Sequence, residues 1–146
     1  MATPTVKQGN KYFEPILYTG NGTAIGSGGQ AVTGVDHQPD LVWIKNRDAA
    51  DSHSLYDSSR GTTKQLESDD TSAESTESEG LTTFGSAGFT VGSLAQVNTN
   101  TEKYVAWNWK ANGGSTTTND ASSTGVGTID SVYQANTTSG FSIVTY

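Results

Sequence analysis

The chain contains no cysteine in its 146 residues. Disulfide cross-links and thiolate metal centres are therefore excluded. Histidine occurs only at His37 and His53, too sparse for a zinc site. Basic residues are few, eight against fifteen acidic ones, for a net charge of −7. Lys7, Lys11, Lys45, Arg47, Arg60, Lys64, Lys103 and Lys110 are scattered along the chain. Gripping nucleic acid through its phosphates needs clustered Lys and Arg, so that partner is not expected. No apolar run approaches the roughly 20 residues of a membrane span, so membrane insertion is not expected either. Met1 opens directly onto Ala2-Thr3-Pro4-Thr5, without the basic-then-apolar stretch of a secretory leader. The expectation is synthesis in a cytoplasm and, if the protein leaves, release by another route.

Hydrophobic residues make up 32% of the chain and charged ones 16%, while glycine numbers 17. Low charge, abundant glycine and β-branched or aromatic apolar residues suit a β protein with many turns. The apolar content implies a thin core, to which homo-oligomerisation would add burial.

Alternation of apolar and polar residues marks the strands. Phe13 to Tyr18 is the first, and Pro15 favours an edge strand or a strand start. Asp40 to Asn46 is apolar on both sides, Val42 and Ile44 on one and Leu41 and Trp43 on the other, as in a central, doubly covered strand. Short strands are expected at His53 to Tyr56 and Thr62 to Glu67. Leu81 to Phe84 and Phe89 to Gly92 form a hairpin across a four-residue connection, Gly85 to Gly88. In Lys103 to Lys110, Val105, Trp107 and Trp109 alternate with Tyr104, Ala106 and Asn108, which predicts a half-buried strand with Trp in the core. Thr128 to Ala135 and Gly140 to Tyr146 are the last strands. Ser68 to Gly80 reads as a solvated acidic loop with room for one helical turn, and Ala111 to Gly127 as a linker. Phe13-Glu14-Pro15-Ile16-Leu17-Tyr18 is echoed by Phe141-Ser142-Ile143-Val144-Thr145-Tyr146. The echo reads either as the start of a second repeat or as a closing strand.

The residue types of a nucleophilic triad occur at His53, Ser54, Asp51 and Asp57, but neighbours on a strand point to opposite faces. The glycine-rich stretch Thr19 to Gly29 lacks the Lys-Ser/Thr and the helix of a phosphate loop. No acid is placed on a strand beside an aromatic platform, as glycoside hydrolysis would need. No cofactor is expected. Glu67, Asp69, Asp70 and Glu74 supply oxygens of the kind Ca²⁺ takes, without an EF-hand spacing. Sugar recognition is the alternative to a purely structural role. Trp43, Trp107, Trp109, Tyr56, Tyr104 and Tyr133 are available aromatics; alternation assigns the Trp residues to the core. Asn46, Arg47 and Asp48, just past a strand end, together with Tyr56, are the candidate glycan surface.

Six blocks occur in order: Tyr18-Thr-Gly-Asn-Gly-Thr23, Gln38-Pro-Asp-Leu-Val-Trp-Ile-Lys-Asn-Arg47, Asp57-Ser-Ser-Arg-Gly61, Phe84-Gly-Ser-Ala-Gly-Phe-Thr-Val-Gly92, Tyr104-Val-Ala-Trp-Asn-Trp-Lys-Ala111 and Gly140-Phe-Ser-Ile-Val-Thr-Tyr146. Together they resemble a module of uncharacterised function in virion and tail-fibre-like proteins of marine and cyanobacterial phages. The resemblance covers residues 13–146. It implies an antiparallel all-β sandwich, jelly-roll or laminin-G/concanavalin-like, and no catalytic residues. It implies a virion protein, made in the host cytoplasm, with other virion proteins as partners. A tail fibre or tail-associated adhesin is expected, with a host-glycan-binding module or a capsid decoration protein as alternatives. The expected organisation is an N-terminal arm at 1–12, a sandwich at 13–135, and a closing strand or start of a second repeat at 136–146. Thr3, Val6, Lys7 and Tyr12 of the arm are the expected anchor to the particle.

Overall fold

The structure is a computed structural model that describes residues 8–146. Of the expected anchor residues, Thr3, Val6 and Lys7 lie outside the described residues, and Tyr12 lies within them, half-buried.

The fold is all-β, antiparallel and sandwich-like. Strands β1 (Phe13–Thr19), β2 (Gln30–Thr33), β3 (Leu41–Asn46), β4 (Ser54–Asp57), β5 (Lys64–Glu67), β6 (Ser75–Thr76), β7 (Leu81–Gly85) and β8 (Gly88–Val91) precede a single turn of helix, α1 (Ala95–Asn98). Then come β9 (Lys103–Trp109), β10 (Thr117–Asn119), a second helical turn α2 (Ala121–Thr124), β11 (Ser131–Asn136) and β12 (Phe141–Thr145). The main sheet has the order β1-β9-β3-β4-β5-β6. A small sheet, β2-β8-β7, covers one face of it, and a third sheet, β10-β11-β12, follows at the end of the chain.

The core lies between the first two sheets. Val42, Ile44, Tyr56, Tyr104 and Ala106 from the main sheet meet Val32, Leu81, Phe89 and Val91 from the small one, with Val97 of α1 closing one side. Each such large side chain contributes about 1.5–3 kcal/mol relative to exposure. Within the small sheet β8 approaches β2 closely at Gly88, where φ is +146° and an added Cβ would collide with the Val32 carbonyl. Only glycine meets both demands.

Two tyrosines stack in this core, Tyr18 on Tyr104, at 5.1 Å between ring centroids. Their hydroxyls donate to the α1 backbone, Tyr18 to Val97 O at 2.7 Å and Tyr104 to Ala95 O at 2.8 Å. Burial pushes both phenols up from their ordinary pKa, so they stay neutral donors.

Several sequence expectations are revised. Gly85 pairs with Gly88, so the β7–β8 connection is the two residues Ser86-Ala87 rather than four. The acidic stretch forms no helical turn and instead carries β6, paired with β5. The 111–127 linker contains β10 and α2, whose N-cap Asp120 accepts from the Ser122 and Ser123 N–H groups. β2 and α1 carried no legible alternation and were not expected.

The largest revision concerns the tryptophans. β3 is central in its sheet but not covered on both sides: the covered face of β3 and β9 is the one bearing Val42, Ile44, Tyr104, Ala106 and Asn108, all fully buried. Trp107 and Trp109 point to the opposite, outer face, as does Trp43, and all three are only half-buried. Small residues such as Ala106 suit the close approach of the small sheet, and indoles do not.

Candidate functional site

The outer face of the main sheet carries the site. Strand register places Pro15 opposite Trp107, Trp107 opposite Trp43, Trp43 opposite Leu55 and Leu55 opposite Leu66. Five apolar residues thus form one cross-strand row of about 19 Å, four strand spacings. Flanking rows add Phe13, Trp109 and Leu41 on one side and Leu17, Val105 and Lys45 on the other. Leu17 is 69% exposed and Leu66 37%. In an ordinary antiparallel sandwich this outer face is polar.

The indoles are held in place. Trp43 and Trp107 have centroids 5.5 Å apart at 60°. The Trp43 indole N–H donates to Nδ1 of His53 at 2.8 Å. Lys45 is tied down as well, since its Nζ donates to the carbonyls of Asn46, Ala49 and Asp51 at 2.8, 3.1 and 2.8 Å. All three ammonium hydrogens are used, and the 46–51 turn wraps around them.

At the far end the face becomes a cleft. Trp109 lies 4.9 Å from Phe13 and 6.2 Å from Phe141, centroid to centroid. Phe141 begins β12, so the third sheet stands as a wall beside the Trp109 end of β9. A cleft of about 340 Å³ lies between them, lined by Tyr12, Phe13, Trp109, Ser139 and Phe141. That volume is within the range of small-ligand sites. The wall is fixed by buried Gln134, whose Nε2 donates to Ser58 and Ser59 Oγ and whose Oε1 accepts from the Asn112 and Gly114 N–H groups.

Two residues of the expected glycan surface are not on the surface. Asn46 is 1% exposed and works as a hub: Oδ1 accepts from the Asp48 and Ala49 N–H groups, and Nδ2 donates to Asp51 and Glu102. Tyr56 is 0% exposed because it sits on the core face of β4, and its hydroxyl meets Gln65 Oε1. Arg47 and Asp48 are exposed, in the turn just past β3. The aromatic row is not legible as a site from alternation, which sorts the tryptophans onto one face without saying which face is covered.

Ser54 faces the core and His53 the outer face, as strand geometry requires. The four acids considered for Ca²⁺ are drawn to separate partners: Asp69 to the His53 N–H, Glu67 to Gln65 and Gln96, Glu74 to Arg60, and Asp70 to Ser72. Among the described residues no three His, Cys, Asp or Glu side chains come together as a metal-holding group.

An all-β module with an open aromatic face is the class of protein that fold and site define. A family profile matches residues 8–146, and the chain belongs to that family, described as a domain of unknown function (DUF7483). No curated protein and no solved structure matches the chain.

Proposed function

We propose that this chain is a non-catalytic attachment module of a phage virion, a tail fibre or tail-associated adhesin that recognises the host surface. The open aromatic face of the main sheet carries the reading. A sheet face bearing three half-buried tryptophans, one of them hydrogen-bonded in place, and left partly open among the described residues is built to be covered by something else. The six sequence blocks that resemble phage virion modules supply the setting. The charge of −7 argues against a partner bound through phosphates.

Two measurements test this. Antibody against the chain, applied to particles of a phage that encodes it, should decorate the tail in electron micrographs. The purified chain should also slow adsorption of that phage to its host. Decoration of the head would favour a capsid decoration protein, and absence from purified particles would remove the virion reading.

A further inference from the structure

We infer that the outer face binds an extended, uncharged polysaccharide, laid across Trp107 and Trp43 and ending in the cleft between Trp109 and Phe141. The inference rests on the attachment reading above and gives its ligand a chemical class.

The shape of the site argues for a long, flat ligand. The row from Pro15 to Leu66 crosses five strands with its residues directly opposed. The cleft end has a wall, formed by the β11–β12 turn with Ser139 and Phe141. A compact ligand would fill the cleft and leave the row unused, whereas a polymer chain uses both.

The chemistry of the face argues for sugar. The donor of Trp43 is already satisfied by His53, so what Trp43 presents is ring surface alone. Ring surface attracts the polarised C–H groups on the flat side of a pyranose. Holding the ring in advance removes most of the ordering cost of stacking. The hydroxyls at the sugar edge then stay in water, or reach the exposed Arg47 and Asp48 beyond the end of β3 and Ser139 in the cleft.

Charge argues for an uncharged chain over the competing occupants. A second copy would bring another −7 against this one, and such self-repulsion opposes face-to-face association. An anionic polymer or an anionic lipid surface meets the same repulsion. Within the aromatic rows Lys45 offers it nothing, because all three of its donors are spent on backbone carbonyls; Lys64 is bonded to Thr76, and exposed Lys103 and Arg47 stand at the strand ends, away from the row.

Native affinity electrophoresis of the full chain tests this, with hydroxyethylcellulose, xylan or galactomannan in the gel as uncharged polymers and alginate as an anionic one. Retardation by at least one uncharged polymer is expected. Trp107→Ala and Trp43→Ala should weaken it at least about tenfold, while Trp107→Tyr keeps most of it. Leu17→Glu, at an exposed position beside the row, should weaken it without touching the core, so the test survives if a tryptophan variant misfolds. Retardation by none of the uncharged polymers overturns the inference. So does retardation by alginate alone that salt abolishes. A dimer in sedimentation that Trp107→Ala converts to monomer also overturns it, because a second copy then covers the face. The two readings fail separately: a chain found on the tail but not retarded loses the polysaccharide and keeps the attachment role, and a retarded chain absent from particles does the reverse.

Discussion

The indole N–H of Trp43 donates to Nδ1 of His53 across 2.8 Å, and this one contact sets how the aromatic face is presented. The ring centroids of the two residues are 5.5 Å apart. His53 therefore acts as acceptor at Nδ1 and carries its proton at Nε2. His53→Ala should leave the indole N–H unpaired and free the ring to turn. The expected cost is about 1 kcal/mol, read by urea unfolding, with a change in tryptophan emission of the folded protein. An emission spectrum identical to that of the parent would show that His53 does not position the ring.

The assignment of core and outer faces is directly testable. Ile44 is 0% exposed on the inner face, and Trp43 stands next to it on the outer one. Ile44→Ala should cost about 2–5 kcal/mol. Trp43→Ala removes a far larger side chain yet should cost less, about 1–2 kcal/mol, because the ring is only half-buried. A reversed order in chemical denaturation would mean that the covered face is the tryptophan face.

Asp40 ties three segments together. Its Oδ2 accepts from the Ala111 and Gly113 N–H groups at 2.7 and 2.9 Å, and its Oδ1 from the Ser58 hydroxyl at 2.8 Å. Asp40 is 0% exposed, so Asp40→Ala orphans three donors that water reaches poorly. A loss of about 2–4 kcal/mol is expected, measured as a shift in the urea midpoint at unchanged slope.

Gln134 holds the third sheet to the rest through four hydrogen bonds. Gln134→Ala should therefore loosen that sheet ahead of the core. Hydrogen exchange should quicken across β10 to β12 while β3 and β9 stay protected. Uniform quickening would instead mean that the three sheets unfold as one unit.

Stability should fall on acidification, in two stages. Burial lowers the pKa of His37 below its ordinary value, against a smaller opposing effect from the Asn10 carbonyl. The unfolded chain then takes up a proton that the folded chain refuses. This contribution is complete above the ordinary histidine pKa of about 6.5 and is lost as pH falls through the lower, folded value. Hydrogen bonds from the Ser93 and Ile25 N–H groups hold the Glu79 carboxyl below its ordinary value. Its contribution is present above the ordinary glutamate range and is lost as pH falls through the folded value. His37→Asn should flatten the upper stage and Glu79→Gln the lower, both followed by the thermal midpoint against pH.

Local pattern made much of the fold legible. Strict alternation at Lys103 to Trp109, the apolar run at Leu41 to Asn46 and the echo of Phe13–Tyr18 in Phe141–Tyr146 all mark strands present in the structure. The structure adds that both phenylalanines of the echo pack on Trp109, from β1 and from β12. β2 is not legible because its two apolar residues, Ala31 and Val32, are adjacent and set among glycines, and α1 is not because a single turn shows no helical period. The burial of Asn46 is not legible either, because whether a polar side chain at a strand end faces water depends on the loops folded over it, and that of Tyr56 depends on which face of β4 the small sheet covers.

The sequence by itself determined the class of this protein: antiparallel β, no cysteine chemistry, and a charge unsuited to phosphate partners. Side-chain alternation depends only on the pleat, so the two faces of β3 and β9 could be sorted from residue order. Only the tertiary structure decided which face became the core. That choice belongs to β2, β7 and β8, distant in sequence, which closed over Ala106 and Tyr104 and left Trp43, Trp107 and Trp109 on the open side.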